Sequence, residues 1–274
     1  MKTRMTHASL CTGIGGFDYA ASLLGWENVF QCEIDPFCRR VLRYWFPQCD
    51  LFSDIKTSDF TKYADTIDVL SAGFPCQPFS VAGQRKGADD DRYLWDEVLR
   101  AVREVRPLWF VGENVGGLLT QQSGVVFERV CADMEDTGYE VQPFVIPACA
   151  VGAPHRRDRV WIVAAANAES IGCKRRMESR TGRDGFKDGN TAADANVAGL
   201  ERRWSLRQSK RPEQNITDWR RFPTQSPVCS RNDGLSFGLA DIAFSRWRRE
   251  SIKALGNAIV PQVAYEIFKA IEQI

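Results

Sequence analysis

An alternation of short apolar runs with amphipathic segments along the first 165 residues is the feature that most constrains the fold. The apolar runs have the length and composition of buried strands. They lie at residues 7–12, 28–32, 67–72, 108–112, 140–147 and 159–165. Between two of them, residues 93–106 repeat apolar side chains at helical spacing until Pro107 ends the pattern. Strands that alternate with helices predict a doubly wound α/β fold with a mostly parallel sheet.

After the last of these strands, the chain becomes polar, rich in arginine and dotted with glycine. Residues 165–249 contain 17 Lys and Arg against 10 Asp and Glu, although the whole chain has a net charge of only +1. Positive charge that is concentrated in one segment favours a polyanionic partner. The last residues return to a core-like pattern, so we predict one domain from residues 1–165 and 246–274. Residues 166–245 would form a small inserted domain.

Composition argues against several classes of protein. No apolar stretch approaches the roughly 20 residues that span a bilayer, and residues 1–6 lack the apolar core of a secretory signal. We therefore expect a cytoplasmic protein without membrane contact. The nine cysteines contain no C-x-x-C pair and accompany only two histidines. This pattern favours neither a disulfide framework nor a zinc site, and we expect no metal.

A glycine-rich turn in SLCTGIGGFDYA separates the first strand from a helix. Glu33 follows Gly13 by 20 residues, at the end of the next strand, as in nucleotide-type cofactor sites. A dinucleotide fingerprint would need glycine where the chain has Asp18, so S-adenosylmethionine fits better. Gly13, Gly15 and Gly16 would allow its amino-acid end to approach the backbone, and the Glu33 carboxylate would accept its ribose hydroxyl groups. A tight turn without a ligand is the alternative.

The segment SAGFPCQPFSVAG holds Cys76 between Pro75 and Pro78, directly after a buried strand. Most isolated cysteines are inert packing residues. Here two prolines fix the backbone at the edge of a parallel sheet where ligands bind, which favours a nucleophile that reacts as the thiolate. The loop at residues 80–91 is polar and contains two glycines, as in a mobile lid or a simple exposed connection.

Two further segments place charged residues beside strands. In FVGENVGGLL a strand runs into Glu113, which is either a solvated carboxylate or an acid and hydrogen-bond partner in the same cleft as the cysteine. In GAPHRRDRVWIVA, Arg157 and Arg159 alternate into a strand, so we expect their side chains on one face. They would form surface ion pairs or anchor a phosphate or a base oxygen.

Together these motifs resemble the cytosine-C5 DNA methyltransferase family. The resemblance covers nearly all of residues 7–164 and 251–271 and depends most on GFPCQPFS, ENV and LGNAIVPQ. It implies a Rossmann-like S-adenosylmethionine-dependent methyltransferase fold in which residues 166–245 are the target-recognition domain. It also implies a monomeric enzyme of the restriction-modification type that methylates a cytosine flipped out of double-stranded DNA.

The resemblance implies a role for individual residues. Cys76 would attack the pyrimidine ring, Glu113 would contact ring atom N3, and Arg157 and Arg159 would be the family's two alternating arginines. The cofactor residues that it implies are Gly13, Gly15, Gly16, Glu33, Asp54, Leu94 and Asn257.

Two positions depart from the family pattern, and three alternative functions remain. Cys11 occupies the place of an aromatic residue that contacts the adenine, and His155 replaces a glutamine ahead of the arginines. An RNA cytosine methyltransferase is one alternative, but the signature of the tRNA-acting branch is absent. A catalytically silent DNA-binding relative is opposed by the intact PCQ, ENV and Arg-x-Arg motifs. A nicotinamide oxidoreductase would leave GFPCQPFS unexplained.

Overall fold

The computed structural model describes residues 4–75, 94–167 and 244–274. Within these ranges one sheet contains seven strands. The strands are β1 Thr6–Leu10, β2 Glu27–Cys32, β3 Asp50–Phe52, β4 Val69–Ala72, β5 Trp109–Val115, β6 Tyr139–Pro147 and β7 Asp158–Ala166. The α-helices are α1 Gly16–Leu23, α2 Pro36–Trp45, α3 Leu94–Val105, α4 Val125–Asp136, α5 Phe244–Asn257 and α6 Pro261–Glu272.

The strand order is β3-β2-β1-β4-β5-β7-β6, which confirms the predicted doubly wound α/β fold. The pairs among β1 to β5 are parallel, whereas β7 is antiparallel to both β5 and β6. The order reverses between β1 and β4, because the chain first builds outward through β2 and β3 and then returns to the other side of β1. Open α/β sheets bind ligands beyond the carboxyl ends of the strands at such a reversal.

The C-terminal helix α6 packs back against α1, as the core-like pattern of its sequence predicted. Pro261 is its first residue, a position whose backbone N–H would have no partner within the helix, so proline is tolerated there. Phe268 is fully buried, with its ring centroid 4.9 Å from that of Trp26 and 6.1 Å from that of Phe17. This contact covers one face of the sheet beside the glycine-rich turn.

Truncation of Phe268 to alanine is expected to destabilise the whole chain by about 3–5 kcal/mol, because the ring leaves a cavity among aromatic side chains. The free energy of unfolding from urea denaturation of the full chain would measure this. Ile252 is 46% exposed on α5, so Ile252→Ala is the control and should change stability by less than about 0.5 kcal/mol. A loss for Phe268→Ala as small as that of the control would contradict a stabilising contribution of the Phe268 ring.

Three predicted features lie outside the described residues, namely Cys76, the loop at 80–91 and nearly all of the inserted domain at 166–245. In the ranges that are described, no helix is both long enough and apolar enough to cross a membrane. The same ranges contain no cluster of three His, Cys, Asp or Glu side chains arranged to hold a metal ion.

Candidate active site

The glycine-rich turn packs tightly at two of its glycines and is open at the third. A Cβ atom on Gly16 would lie 2.5 Å from Cγ1 of Ile259, and one on Gly15 would lie 2.6 Å from Cε2 of Phe46. Gly13 has a left-handed φ of +59°, and a Cβ added there would meet no described atom within 4 Å. Gly15 and Gly16 therefore serve packing, whereas Gly13 borders space at the carboxyl end of β1 that no described residue fills.

Glu33 faces this turn from the end of β2. Its carboxylate accepts hydrogen bonds from the backbone N–H of Gly13 at 2.6 Å and of Asp35 at 2.7 Å. Burial raises the pKa of Glu33, and the two backbone N–H groups oppose the rise. Since a carboxylate has about four acceptor positions, Glu33 retains capacity for further donors such as hydroxyl groups. The structure thus brings Gly13 and Glu33 into hydrogen-bond contact.

A buried hydrogen-bond network supports the glycine-rich turn from the protein interior. The sequence pattern did not predict this network. Asp18 is fully buried and accepts hydrogen bonds from the Ser9 hydroxyl at 3.0 Å and from Nε2 of Gln31 at 2.9 Å. The Ser9 hydroxyl also contacts the Thr12 hydroxyl, at 2.9 Å. Burial raises the pKa of Asp18. The residue that departs from the dinucleotide fingerprint is therefore a structural anchor of the turn.

The remaining candidate cofactor residues lie on separate elements. The backbone N–H of Glu33 donates to the Phe52 carbonyl at 3.0 Å, and Asp54 follows two residues later, so Asp54 belongs to the same edge of the sheet as Glu33. Leu94 is the first residue of α3 and packs, half-buried, against the core. Asn257 is the last residue of α5 and is exposed.

Ile34 is a further candidate, which the sequence pattern does not indicate. It directly follows Glu33, and its apolar side chain is 68% exposed. A single exposed isoleucine is common on a protein surface, but this one directly follows the glutamate whose carboxylate accepts from the Gly13 N–H. The only signal in the sequence is its position between two acidic residues, which does not reveal exposure.

Glu113 and Arg159 form a shielded ion pair at the carboxyl end of β5. Oε1 of Glu113 lies 3.0 Å from Nε of Arg159, and the exposed fractions of the two side chains are 10% and 21%. The antiparallel register pairs Glu113 with Trp161 and Val115 with Arg159, so the two charged residues are diagonal neighbours on one face. Burial raises the pKa of Glu113, while Arg159 and Arg157 oppose that rise.

The chain leading to Cys76 is tied to the same sheet edge. Nδ2 of Asn114, the residue after Glu113, donates to the Phe74 carbonyl at 3.0 Å, and Asn114 is buried. The N–H of Gly73 donates to the Leu10 carbonyl at the end of β1, at 3.3 Å. The last described residues before Cys76 are thus held beside Glu113, at the reversal of the strand order.

Arg157 makes contacts different from those that the sequence pattern predicts. Strand β7 begins at Asp158, and Arg157 has a left-handed φ of +38°. Arg157 therefore lies outside the strand, and the alternation of side chains along a strand does not determine the direction of its side chain. Its Nη2 atom donates to the backbone carbonyls of Gly256 at 3.0 Å and Ala258 at 2.8 Å. Burial lowers the pKa of Arg157, and the nearby Arg159 lowers it further.

Comparison with known proteins gives concordant matches. A family model described as C-5 cytosine-specific DNA methylase matches residues 5–238. The chain is 37% identical over 165 residues to the type II methyltransferase M.Eco47II of Escherichia coli, covering 59% of this chain and 40% of that relative. It is 32% identical over 173 residues to M.HhaI of Haemophilus parahaemolyticus, covering 62% of this chain and 51% of that relative. These matches span only about half the length of the relatives.

One solved structure matches along nearly the whole chain. The S. pombe Dnmt2 methyltransferase aligns over 98% of this chain and 99% of its own length, with a TM-score of 0.60 and 17% sequence identity. At that identity the match shows a shared fold.

Proposed function

Because the chain belongs to the C-5 cytosine-specific DNA methylase family, we propose that it transfers a methyl group from S-adenosylmethionine to carbon 5 of cytosine in DNA. One observation carries this proposal. The buried Glu113 carboxyl lies 3.0 Å from Arg159, and the next residue, Asn114, holds the Phe74 carbonyl of the backbone that leads into Cys76. A carboxyl group and a cysteine at one sheet edge are the groups that addition to a pyrimidine ring requires.

The residues around the glycine-rich turn fit S-adenosylmethionine, which supplies an electrophilic methyl group when bound. Gly13 leaves room for close approach, and the remaining acceptor positions of Glu33 suit ribose hydroxyl groups. The N-terminus of α1 has no side-chain cap, and the positive end of a helix suits a carboxylate. The exposed Ile34 offers an apolar surface for the adenine ring.

The proposed chemistry at the ring uses Cys76, Glu113 and Arg159. The Cys76 thiolate would form a bond to carbon 6, and the ring electrons would shift toward carbon 5, which attacks the methyl carbon while the bond from that carbon to the cofactor sulfur breaks and S-adenosylhomocysteine leaves. Glu113 in its protonated form donates to N3 and stabilises the charge that enters the ring. Arg159 orients Glu113 through its Nε, its Nη1 donates to the Asp158 carbonyl at 2.8 Å, and its Nη2 would donate to the neighbouring ring oxygen. Removal of the carbon 5 proton by water then allows the Cys76 bond to break.

Access of the ring to this site requires the cytosine to leave the duplex, at a cost of a few kcal/mol. We propose that residues 166–245, with their excess of lysine and arginine, form the target-recognition domain of a monomeric enzyme of the restriction-modification type. Basic side chains would contact phosphates, and a few side chains would read base edges. Bisulfite sequencing of plasmid DNA from a methylation-deficient host that expresses the chain tests the proposal. Unconverted cytosines in one sequence context support it, and complete conversion contradicts it.

Gly13→Ala is expected to weaken binding of S-adenosylhomocysteine about tenfold or more, because the methyl group enters the space proposed for the ligand. Isothermal titration calorimetry measures this affinity without DNA. Gly138 is a matched control, since its φ is +93° and a Cβ there also meets no described atom within 4 Å. Both variants should lose about 1 kcal/mol of stability to left-handed backbone strain. Equal affinity in the Gly13 and Gly138 variants would exclude Gly13 from the cofactor site.

A further inference from the structure

We propose that Arg157 is a positioning residue for the cofactor site, holding the segment 256–260 against the glycine-rich turn, rather than a residue that contacts DNA. The inference rests on the proposed function, because it names the ligand whose binding the segment supports. It differs from the expectation drawn from the sequence, in which Arg157 anchors a phosphate or a base oxygen together with Arg159.

The contacts of Arg157 complete the end of a helix. Helix α5 ends at Asn257, and its last carbonyl groups lack partners within the helix. Nη2 of Arg157 donates to the Gly256 carbonyl in this last turn and to the Ala258 carbonyl just beyond it. A guanidinium group at this position also offsets the partial negative charge of the helix C-terminus. Arg157 therefore fixes the backbone on both sides of Asn257.

The segment held by Arg157 reaches the cofactor turn directly. Ile259 follows Ala258, and its side chain occupies the space that a Cβ on Gly16 would need, at 2.5 Å from that position. The chain then enters α6 at Pro261, which packs on α1. A shift of the 256–260 backbone would consequently move Ile259 and disturb the turn that bears Gly13.

The surroundings of Arg157 do not favour a role in binding phosphate. Both hydrogens of Nη2 are used by the two carbonyls, and Nε is buried with no hydrogen-bond partner among the described residues. Two of the three guanidinium nitrogens are thus directed at or enclosed by protein. Arg159, which pairs with Glu113, is the arginine that remains for the substrate.

Arg157→Met and Arg157→Lys test the inference, with S-adenosylhomocysteine binding by isothermal titration calorimetry as the readout. Methionine cannot donate, so we expect affinity to fall about tenfold. Because one nitrogen makes both bonds, a lysine ammonium can replace them, and Arg157→Lys should retain most of the affinity. The control is Arg156→Met, since the Arg156 side chain is 82% exposed, and it should bind as the unaltered chain does.

A double variant distinguishes a positioning role of Arg157 from an unspecific effect of the substitution on the fold. If Arg157 acts through the segment 256–260, the losses of binding free energy caused by Arg157→Met and Ile259→Ala should not be additive. The double variant should then bind S-adenosylhomocysteine with nearly the affinity of the single variant that binds less tightly. If Arg157 instead contacts phosphate, Arg157→Met would leave S-adenosylhomocysteine binding intact. It would also reduce the slope of log affinity for duplex DNA against log salt by about 1. That result overturns the inference alone, whereas absence of binding by the unaltered chain overturns the proposed function too.

Discussion

Replacement of Cys76 by alanine is expected to lower DNA methylation by more than about 10³-fold, because carbon 5 of cytosine is a poor nucleophile until a thiolate adds to carbon 6. The Cys76 sulfur is the group to which the proposed mechanism assigns that bond. Bisulfite sequencing of plasmid DNA from a methylation-deficient host is the measurement. The unaltered chain should leave unconverted cytosines in one short context, and the variant should leave none.

The appropriate control is Cys149→Ala, since Cys149 is an exposed free cysteine that lies more than 70 residues from Cys76 in the sequence. This variant should methylate the same context as the unaltered chain. The Cys76 variant should still bind S-adenosylhomocysteine with unchanged affinity, because the proposed cofactor contacts do not include the thiol. Persistent methylation by the Cys76 variant would exclude the covalent mechanism, and loss of activity in both variants would point to a defect of folding.

The order of strands and helices was largely predictable because burial leaves a local signature. All six apolar runs correspond to strands, and the amphipathic segment before Pro107 is α3. The pattern missed β3, which has only the three residues Asp50–Phe52. It also did not reveal that β7 is antiparallel, since strand direction is decided by pairing with β5 and β6 rather than by composition.

The candidate site was predictable where a residue's role follows from its local segment. Gly13 and Glu33 are 20 residues apart in sequence, and the geometry of consecutive parallel strands brings them within hydrogen-bond distance. Arg157 is different, because its partners Gly256 and Ala258 are about 100 residues away and its backbone is left-handed. Neither long-range pairing nor a positive φ at arginine is encoded in the alternation of a strand.

Asp18 is a second residue whose role the sequence pattern does not reveal. Its sequence position excludes a dinucleotide fingerprint, but its bonds to Ser9 and Gln31 join α1 to β1 and β2. A charged residue in the first turn of a helix is ordinarily assigned to solvent and to the helix dipole. Only the packed fold shows that Asp18 has no exposed surface and supports the glycine-rich turn from the protein interior.

Glu113→Gln is expected to lower kcat by about 10²–10³-fold, because an amide donates a hydrogen bond at N3 but cannot supply a proton. The same change should alter the pH dependence. Burial raises the pKa of Glu113, so the protonated form persists to higher pH than for an ordinary glutamate. Activity of the unaltered chain should fall as pH rises through that raised pKa, whereas the residual activity of Glu113→Gln should not show this fall. Methyl transfer from labelled S-adenosylmethionine across the pH range measures both.

Stability provides an independent check on the state of Glu113. A carboxyl group with a raised pKa in the folded chain binds its proton more tightly there than in the unfolded chain, so its contribution to stability is lost as pH rises through the folded pKa. Glu113→Gln should remove that dependence, and Glu140→Gln, at an exposed position on β6, should leave it. The pH profile of activity can be compared in the same three chains, namely the unaltered chain, Glu113→Gln and Glu140→Gln. If all three share one activity profile, Glu113 acts only as the partner of Arg159. The proton at N3 would then have to come from another group.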